Sequence, residues 1–303
     1  MPEKIDKISL KEAVKAATIL TRKRAFKFWL LSHLLMKKEA RDYIFMLHTY
    51  LRWADDFIDT SNYSLVEKEL FVKNLYILKN KILLHKSDFT TIEEYYLFYI
   101  IKFAEEKNQP LILTCIDQYH ELFEMEARRL KHDGIYSKSE FERYVILNIT
   151  SLMPVFHLFL YYDSSDPVNY GVIGRFFLYV RLLKDFEEDI KTGYINICRE
   201  DIKKFDINVN DVLEDPKRCL WAKSFSNDIF KALYDELEVM RRAPLKVKLF
   251  WTLGYIYLTK ELLGFANYDF QIGSRIDRKF IKEYKILHST ILMSYKIIRK
   301  VFI

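Results

Sequence analysis

Arg52-Trp53-Ala54-Asp55-Asp56-Phe57-Ile58-Asp59 is the stretch on which the reading of this chain turns. Asp55 and Asp59 are four residues apart, so on a helix their carboxylates stack on one face. Two like charges at that spacing cost a few tenths of a kcal/mol. Thr60-Ser61-Asn62 follows as a turn and ends the helix. A helix C-terminus carries partial negative charge and favours cations. Three acids in its last turn are therefore badly placed for stability, and a divalent cation would resolve the conflict.

Lys184-Asp185-Phe186-Glu187-Glu188-Asp189 repeats the arrangement. Two Asp again stand at i and i+4, and Lys191, Thr192 and Gly193 read as a helix end with Gly193 in the C′ position. Either stretch alone reads equally well as a solvated acidic helix end. Together they point to Mg²⁺ held by Asp55, Asp59, Asp185 and Asp189, because this ion takes hard oxygen ligands and bridges one or two carboxylates to a phosphate.

Composition bounds the fold. The chain has 303 residues, half of them hydrophobic and 16% aromatic, with only 7 Gly and 6 Pro. So few breakers over this length argue for long helices and few turns. No period-2 strand pattern, linker or low-complexity stretch appears, and the expectation is one all-α domain over residues 1–303, a helical bundle around a central apolar cavity. Cys115, Cys198 and Cys219 lie far apart and without metal-ligand spacing, which suggests reduced thiols in a cytoplasmic protein. The N-terminal stretch lacks the apolar run of a secretory signal. No run of about 18 uncharged apolar residues suggests a membrane span. Net charge is +6 with the signs interspersed, which suits an anionic substrate or a membrane surface and gives no nucleic-acid footprint.

Helical periodicity is expected over 9–22, 22–35, 37–59, 64–85, 91–107, 110–131, 138–161, 168–191, 217–265 and 277–300, with a loop from about 193 to 216. Ser137 and Glu140 form a capping-box pattern, and Pro154 is expected to kink the 138–161 helix. Asn148, Thr150 and Ser151 stand in an apolar stretch, either hydrogen-bonded locally or forming a pocket wall. Residues 22–35 mix cations with large aromatics. They read either as a helix with a basic outer face or as a diphosphate approach lined by Arg22, Lys23, Arg24 or Lys27. His48 lies near the face of the first acid motif. The terminal YKIIRKVFI is basic and apolar, and fits a packed helix or one lying on a bilayer surface.

Mg²⁺ on carboxylates suits chemistry at a phosphate, where it neutralises oxygen charge and stabilises a leaving group. An apolar aromatic interior with cations at one end fits a prenyl diphosphate. Phe26, Trp29, Phe57, Phe156, Phe176 and Phe177 are candidates to face an allylic carbocation, although each is equally plain core.

These residues resemble the squalene/phytoene synthases, all-α prenyl transferases that join two prenyl diphosphates head to head. LLMKKEARDYIFMLHTYLRWADDFID is similar to the family's L-L-P-x-x-x-R…Y-x-x-C-R-x-x-D-D-x-x-D, with Arg52, Asp55 and Asp59 matching. GRFFLYVRLLKDFEEDI resembles G-x-A-x-Q-L-x-N-I-x-R-D-x-x-E-D, with Gly174, Asp185, Glu188 and Asp189 matching. The stretches ELFEMEARRL…YSKSEFERYV and ELLGFANYDFQIGSR extend the likeness over most of the chain. The departures are Leu178 for the family's Gln, Arg181 for its Asn, Lys184 for its Arg, Tyr194 and Asn196 for its R-x-Y, Leu51 for Cys and His48 for Tyr.

The resemblance implies a Mg²⁺-dependent synthase acting on C15 or C20 prenyl diphosphates. Asp55, Asp59, Asp185 and Asp189 would be its catalytic metal ligands, and Arg52, Lys184, Arg181, Phe26, Trp29 and His48 its substrate contacts. NADPH use, substrate length and oligomeric state stay open, as does peripheral membrane contact. Arg181, at i,i+4 from Asp185, would either displace a metal or bind diphosphate in its place. A terpene-synthase-like reaction on one substrate, and a non-catalytic scaffold or assembly factor of the same fold, remain the alternatives.

Overall fold

The computed structural model describes residues 8–60, 62–86, 88–161, 172–267, 294 and 296–301. Among them every regular element is a helix. The chain divides into two compact units. The first holds residues 1–131 and 151–166, the second residues 132–150 and 167–303.

The first unit is organised by α3 (Lys38–Asp59). Its buried positions Ala40, Ile44, Leu47, Leu51, Ala54 and Ile58 recur at alternating steps of four and three, the spacing of one continuous helical stripe. Phe45, Met46 and Tyr50 are buried as well, so α3 is enclosed on most sides. The side left partly open carries Arg52, Asp55, Asp56 and Asp59. α1 (Leu10–Arg24), α5 (Ile92–Glu106) and α8 (Leu152–Tyr161) pack against it, with α2 (Phe26–Leu35) between α1 and α3 and α4 (Leu65–Leu83) on α5. α6 (Pro110–His132) completes the unit.

The helix starts have local causes. Ser9 with Glu12, Ser64 with Glu67, Thr91 with Glu94 and Ser137 with Glu140 each form a capping box. The hydroxyl accepts from the N3 amide while the carboxylate takes the cap amide, which satisfies two orphan donors at once.

The 138–161 stretch is not a single kinked helix. α7 (Lys138–Val145) gives way to a π turn, Ile146–Thr150, and α8 starts after Ser151. Pro154 sits in the first turn of α8, where its missing N–H costs nothing. Its ring would clash with the carbonyl of residue 150 in a continuous helix, and the π turn is where the chain widens instead. The stretch Lys138–Leu160 is long and apolar enough by composition to cross a membrane, and 65% of its most apolar window is buried within the protein.

In the second unit α9 (Arg175–Lys184) packs against α12 (Lys217–Arg242), α13 (Leu245–Asn267) and the π turn. α10 (Phe186–Lys191) follows α9 directly, and α11 (Arg199–Phe205) packs on α12. The second acid-bearing segment is therefore two helices within 172–191. Pro244 divides the expected 217–265 segment into α12 and α13. The described part of the C-terminal segment buries Ile297 and Val301. Lys300 there pairs with Glu238 of α12 at 2.6 Å, so this part is a packed helix. Most of the expected 277–300 helix lies outside the described residues.

Candidate functional site

The first acid motif lies at the C-terminal end of α3, and its carboxylates are held by cations of the same unit. Arg52 Nη1 donates to Asp55 Oδ2 at 2.8 Å, and its Nε lies 3.1 Å from Asp56 Oδ1. Arg24, in the last turn of α1, pairs with the other oxygen of Asp56. It belongs to a basic end, Arg22-Lys23-Arg24, that complements the α1 dipole. Lys68 of α4 is 3% exposed. Burial holds its pKa below the usual lysine range, and Asp59 is the charge that opposes this. Three acids and three cations thus make up this end of α3.

His48, one turn before Arg52, hydrogen-bonds through Nδ1 with the Thr21 hydroxyl at 3.4 Å and meets the Phe28 ring at 5.2 Å. Burial pushes its pKa down to about 4, with Arg52 and Arg24 adding repulsion. It is a neutral imidazole at pH 7. Phe28 also meets Phe45 at 5.9 Å and Phe156 at 5.7 Å, forming an aromatic wall with His48.

Of the expected aromatic contacts, only Phe156 belongs to this wall. Phe26 is 52% exposed and stacks on Trp29. The Arg22 guanidinium lies over Trp29 at 5.1 Å, so Phe26 and Trp29 build a cation–π patch on the basic end of α1. Phe57 stacks between Tyr63 and Phe71 at 3.9 Å from each. Phe28, not singled out by the sequence, is the member of α2 that turns to His48. The sequence carries no signal that separates it from Phe26 and Trp29 on the same short helix.

The second motif is built differently. α9 starts at Gly174, whose φ is +100°. A Cβ there would stand 2.3 Å from Ile149 Cγ1 in the π turn, so the glycine is required twice over. No side chain on α9 itself caps this start. Glu236 of α12 does so from outside, accepting from the Phe176 amide at 2.7 Å and from the Tyr255 hydroxyl of α13 at 2.7 Å. Full burial raises its pKa to about 7, against the hydrogen bonds that favour the charged form. Nothing in the sequence singled out Glu236. A lone acid on an amphipathic helix is more often solvated.

Asp185 ends α9 and starts α10 with φ −92° and ψ 3°. It leaves the helix rather than standing within one. The bond from Asp189 N to Asp185 O, 2.9 Å, keeps the i,i+4 relation. Arg181 reaches the Asp185 Oδ2 from Nη2 at 3.3 Å and from Nε at 3.4 Å. Asn196 donates its amide to Asp189 Oδ2 at 2.6 Å. Lys184 is exposed. Gly193 has φ +94°, as the C′ position requires. The segment after it is pinned to 134–136 by Ile195 N to Gly134 O and Arg199 N to Tyr136 O, both 2.9 Å, and by the Arg199–Asp133 pair. Asn196, at the position where the resemblance leads one to expect Tyr, is therefore held beside Asp189.

Asn148 lies in the π turn, partly buried, and Ser151 just after it is buried. Such turns occur frequently at functional sites.

Among the described residues, no group of three or more His, Cys, Asp or Glu is placed to hold a metal ion. Asp55, Asp185 and Asp189 each have an oxygen taken by a donor of the chain, and Asp59 faces Lys68. Mg²⁺ demands near-octahedral oxygen ligands and binds through carboxylates that attract it. Taken motif by motif, the residues as arranged do not fit it.

No protein-family model matches the sequence, and no curated protein matches it. Solved structures do. A dehydrosqualene synthase in complex with ligand superposes with a TM-score of 0.69 at 13% identity, over 96% of this chain and 98% of that one. Two ligand complexes of TcSQS, a squalene synthase, give TM-scores of 0.70 and 0.68 at 13% and 14% identity, each over 96% of this chain and 91% of theirs. The chain has the all-α fold of squalene and dehydrosqualene synthases.

Proposed function

We propose that this chain binds a prenyl diphosphate and acts on it as a prenyl synthase of the head-to-head type. The observation that carries this is the pair of guanidiniums at the end of α3, Arg52 fixed to Asp55 and Asp56 and Arg24 fixed to Asp56. Guanidinium groups match phosphate oxygens bidentately, and being pre-positioned they lose little freedom on binding. The aromatic wall of Phe28, Phe45, Phe156 and the neutral His48 supplies the apolar partner that a prenyl chain needs. The all-α fold shared with dehydrosqualene and squalene synthases supports the same reading.

In the reaction the allylic C–O bond of one substrate breaks, and the electron pair leaves with the diphosphate. The double bond of a second prenyl diphosphate captures the cation and a proton is lost, which gives a cyclopropyl diphosphate that later rearranges. Arg52 and Arg24 would hold the departing diphosphate oxygens, and aromatic faces would stabilise the cation. The test supplies C15 and C20 prenyl diphosphates separately and measures released diphosphate and extracted hydrocarbon. Release with a doubled-chain product, abolished by Arg52→Met, supports condensation. A cyclic or simple alcohol product supports a single-substrate reaction.

A specific observation favours a second reading, a non-catalytic protein on the same scaffold. Arg181 pairs with Asp185, where the resemblance leads one to expect an Asn that leaves the carboxylate to a metal. Folded protein that releases no diphosphate from either substrate would establish this reading over the first.

A further inference from the structure

The two acid motifs share a property that their sequences do not announce: in each, a guanidinium already holds one Asp of the motif. At the end of α3, Arg52, Arg24 and Lys68 stand against Asp55, Asp56 and Asp59. In the second unit Arg181 holds Asp185, Lys191 holds Glu187, and the Asn196 amide holds Asp189. A divalent ion that takes both oxygens of Asp55 or of Asp185 must displace a guanidinium already paired there, whereas Asp189 is held by a neutral amide. The ion would also pass within a few ångströms of a guanidinium, whose like charge repels it. A diphosphate meets the reverse situation, since Arg24, Arg52 and Arg181 keep between 41% and 49% of their side chains exposed while their carboxylate partners fix their position.

We infer that this chain binds the diphosphate group without a divalent metal, through guanidinium groups that occupy the metal's role at each motif. The inference rests on the proposed function, and it takes each motif by itself as a place where diphosphate oxygens bind. It assigns Arg181 as a diphosphate-binding residue rather than as damage to a metal site. In the folded protein Arg181 sits four residues before Asp185, bound to one of its oxygens from two nitrogens, so its remaining N–H groups stay available to an anion.

The experiment is calorimetric titration of the full chain with inorganic diphosphate and with a C15 prenyl thiolodiphosphate, which does not ionise. Each is titrated in EDTA and in excess Mg²⁺. The expected dissociation constants differ by less than about fivefold between the two buffers, and Arg52→Met and Arg181→Met, each tested alone, weaken binding in EDTA by about tenfold or more. A larger gain from Mg²⁺ in the wild-type protein overturns the inference and leaves the prenyl diphosphate reading standing. Absence of binding in both buffers overturns both. A second readout needs no diphosphate: Mn²⁺ retention followed by its paramagnetic resonance signal. Arg181→Asn, exposed and structurally mild, is expected to raise Mn²⁺ affinity by about tenfold over wild type. An unchanged affinity, or tight Mn²⁺ binding by the wild type, overturns the role given to Arg181.

Discussion

The two acid motifs have the same carboxylate spacing and opposite construction. Asp55 and Asp59 ride on an uninterrupted 22-residue helix whose other sides are buried. The position of these residues is fixed by α3 itself, and the ion pairs of Arg52 and Arg24 lie on top of a rigid element. Asp185 stands at a break between a ten-residue helix and a six-residue one. Its position depends on remote groups: Gly174 against Ile149, and Glu236 at the start of α9. Equal spacing in sequence therefore does not mean equal mechanical support. Mutations far from the second motif should move it, while those far from the first should not.

The largest expected effect breaks that support. Glu236→Ala leaves the Phe176 amide and the Tyr255 hydroxyl without their acceptor inside the fold. Two orphaned donors and a cavity cost about 4 kcal/mol together, read as a lower urea midpoint. Glu236→Gln keeps the size and one acceptor oxygen and should recover most of that. If alanine costs under about 1 kcal/mol, the second motif does not hang on this anchor.

The next effect sharpens the comparison through pH, because the two units titrate with opposite sign. Glu236 has its folded pKa raised from 4.5 to about 7. Its protonated form is favoured in the native state, so its contribution is fully present below pH 4.5 and is lost as pH rises through 7. The linked free energy is about 3 kcal/mol. His120 in the first unit is fully buried, accepts or donates at Tyr50 Oη at 2.8 Å, and has its pKa lowered from 6.5 to about 4. Its neutral form is favoured, so its contribution is present above pH 6.5 and is lost as pH falls through 4, again by about 3 kcal/mol. His48 acts in the same direction. Urea denaturation across pH 4 to 8 should show an acid limb flattened by His120→Gln and an alkaline limb flattened by Glu236→Gln. His48 leaves part of the acid limb in His120→Gln, and a limb whose slope its own variant does not change at all rules out that group as a source.

Much of this organisation was legible from the chain. The scarcity of Gly and Pro announces long helices, and the two DxxxD stretches announce paired motifs. Ser137-x-x-Glu140 marks a true helix start. What was not legible is tertiary. That Asp185 stands between two helices rather than inside one is not written in its own segment, nor is the contact of Gly174 with Ile149 that fits α9 to the π turn. Whether Phe26 or Phe28 faces His48 is decided by packing: Phe26 is exposed and stacks on Trp29, while Phe28 meets His48, Phe45 and Phe156. Arg181 was visible as a conflict with Asp185, but only the fold shows that Asp56 also takes Arg24 and that Asn196 holds Asp189. A metal is the natural inference from acids read alone, since their counter-charges Arg24 and Lys68 come from other helices.

A smaller effect tests the packing behind α9. Gly174→Ala must hold φ at +100° with a Cβ and push Ile149 aside, for about 2 kcal/mol in all. Diphosphate affinity should fall with it if Arg181 binds the anion, because α9 carries both. The double variant Gly174→Ala, Ile149→Ala relieves the clash but not the backbone strain, and should restore part of the affinity. No change in affinity on Gly174→Ala would separate Arg181 from the site.

The smallest effect on stability is the most telling about design. Arg52→Met and Arg181→Met each remove a guanidinium whose ion pairs are roughly 30% to 50% exposed. Exposed pairs are worth about 0 to 1 kcal/mol because water screens them, and each variant also relieves a paired acid of its fixed neighbour. Melting temperatures should therefore shift by no more than about 3 °C, while diphosphate affinity in EDTA falls by about tenfold. That split is the signature of residues kept for a ligand: the protein gives up little of its stability and most of its binding. If instead either variant unfolds the chain without touching the affinity of the folded fraction, the guanidiniums serve the helix ends, and the acids of that motif are structural partners rather than the frame of a binding site.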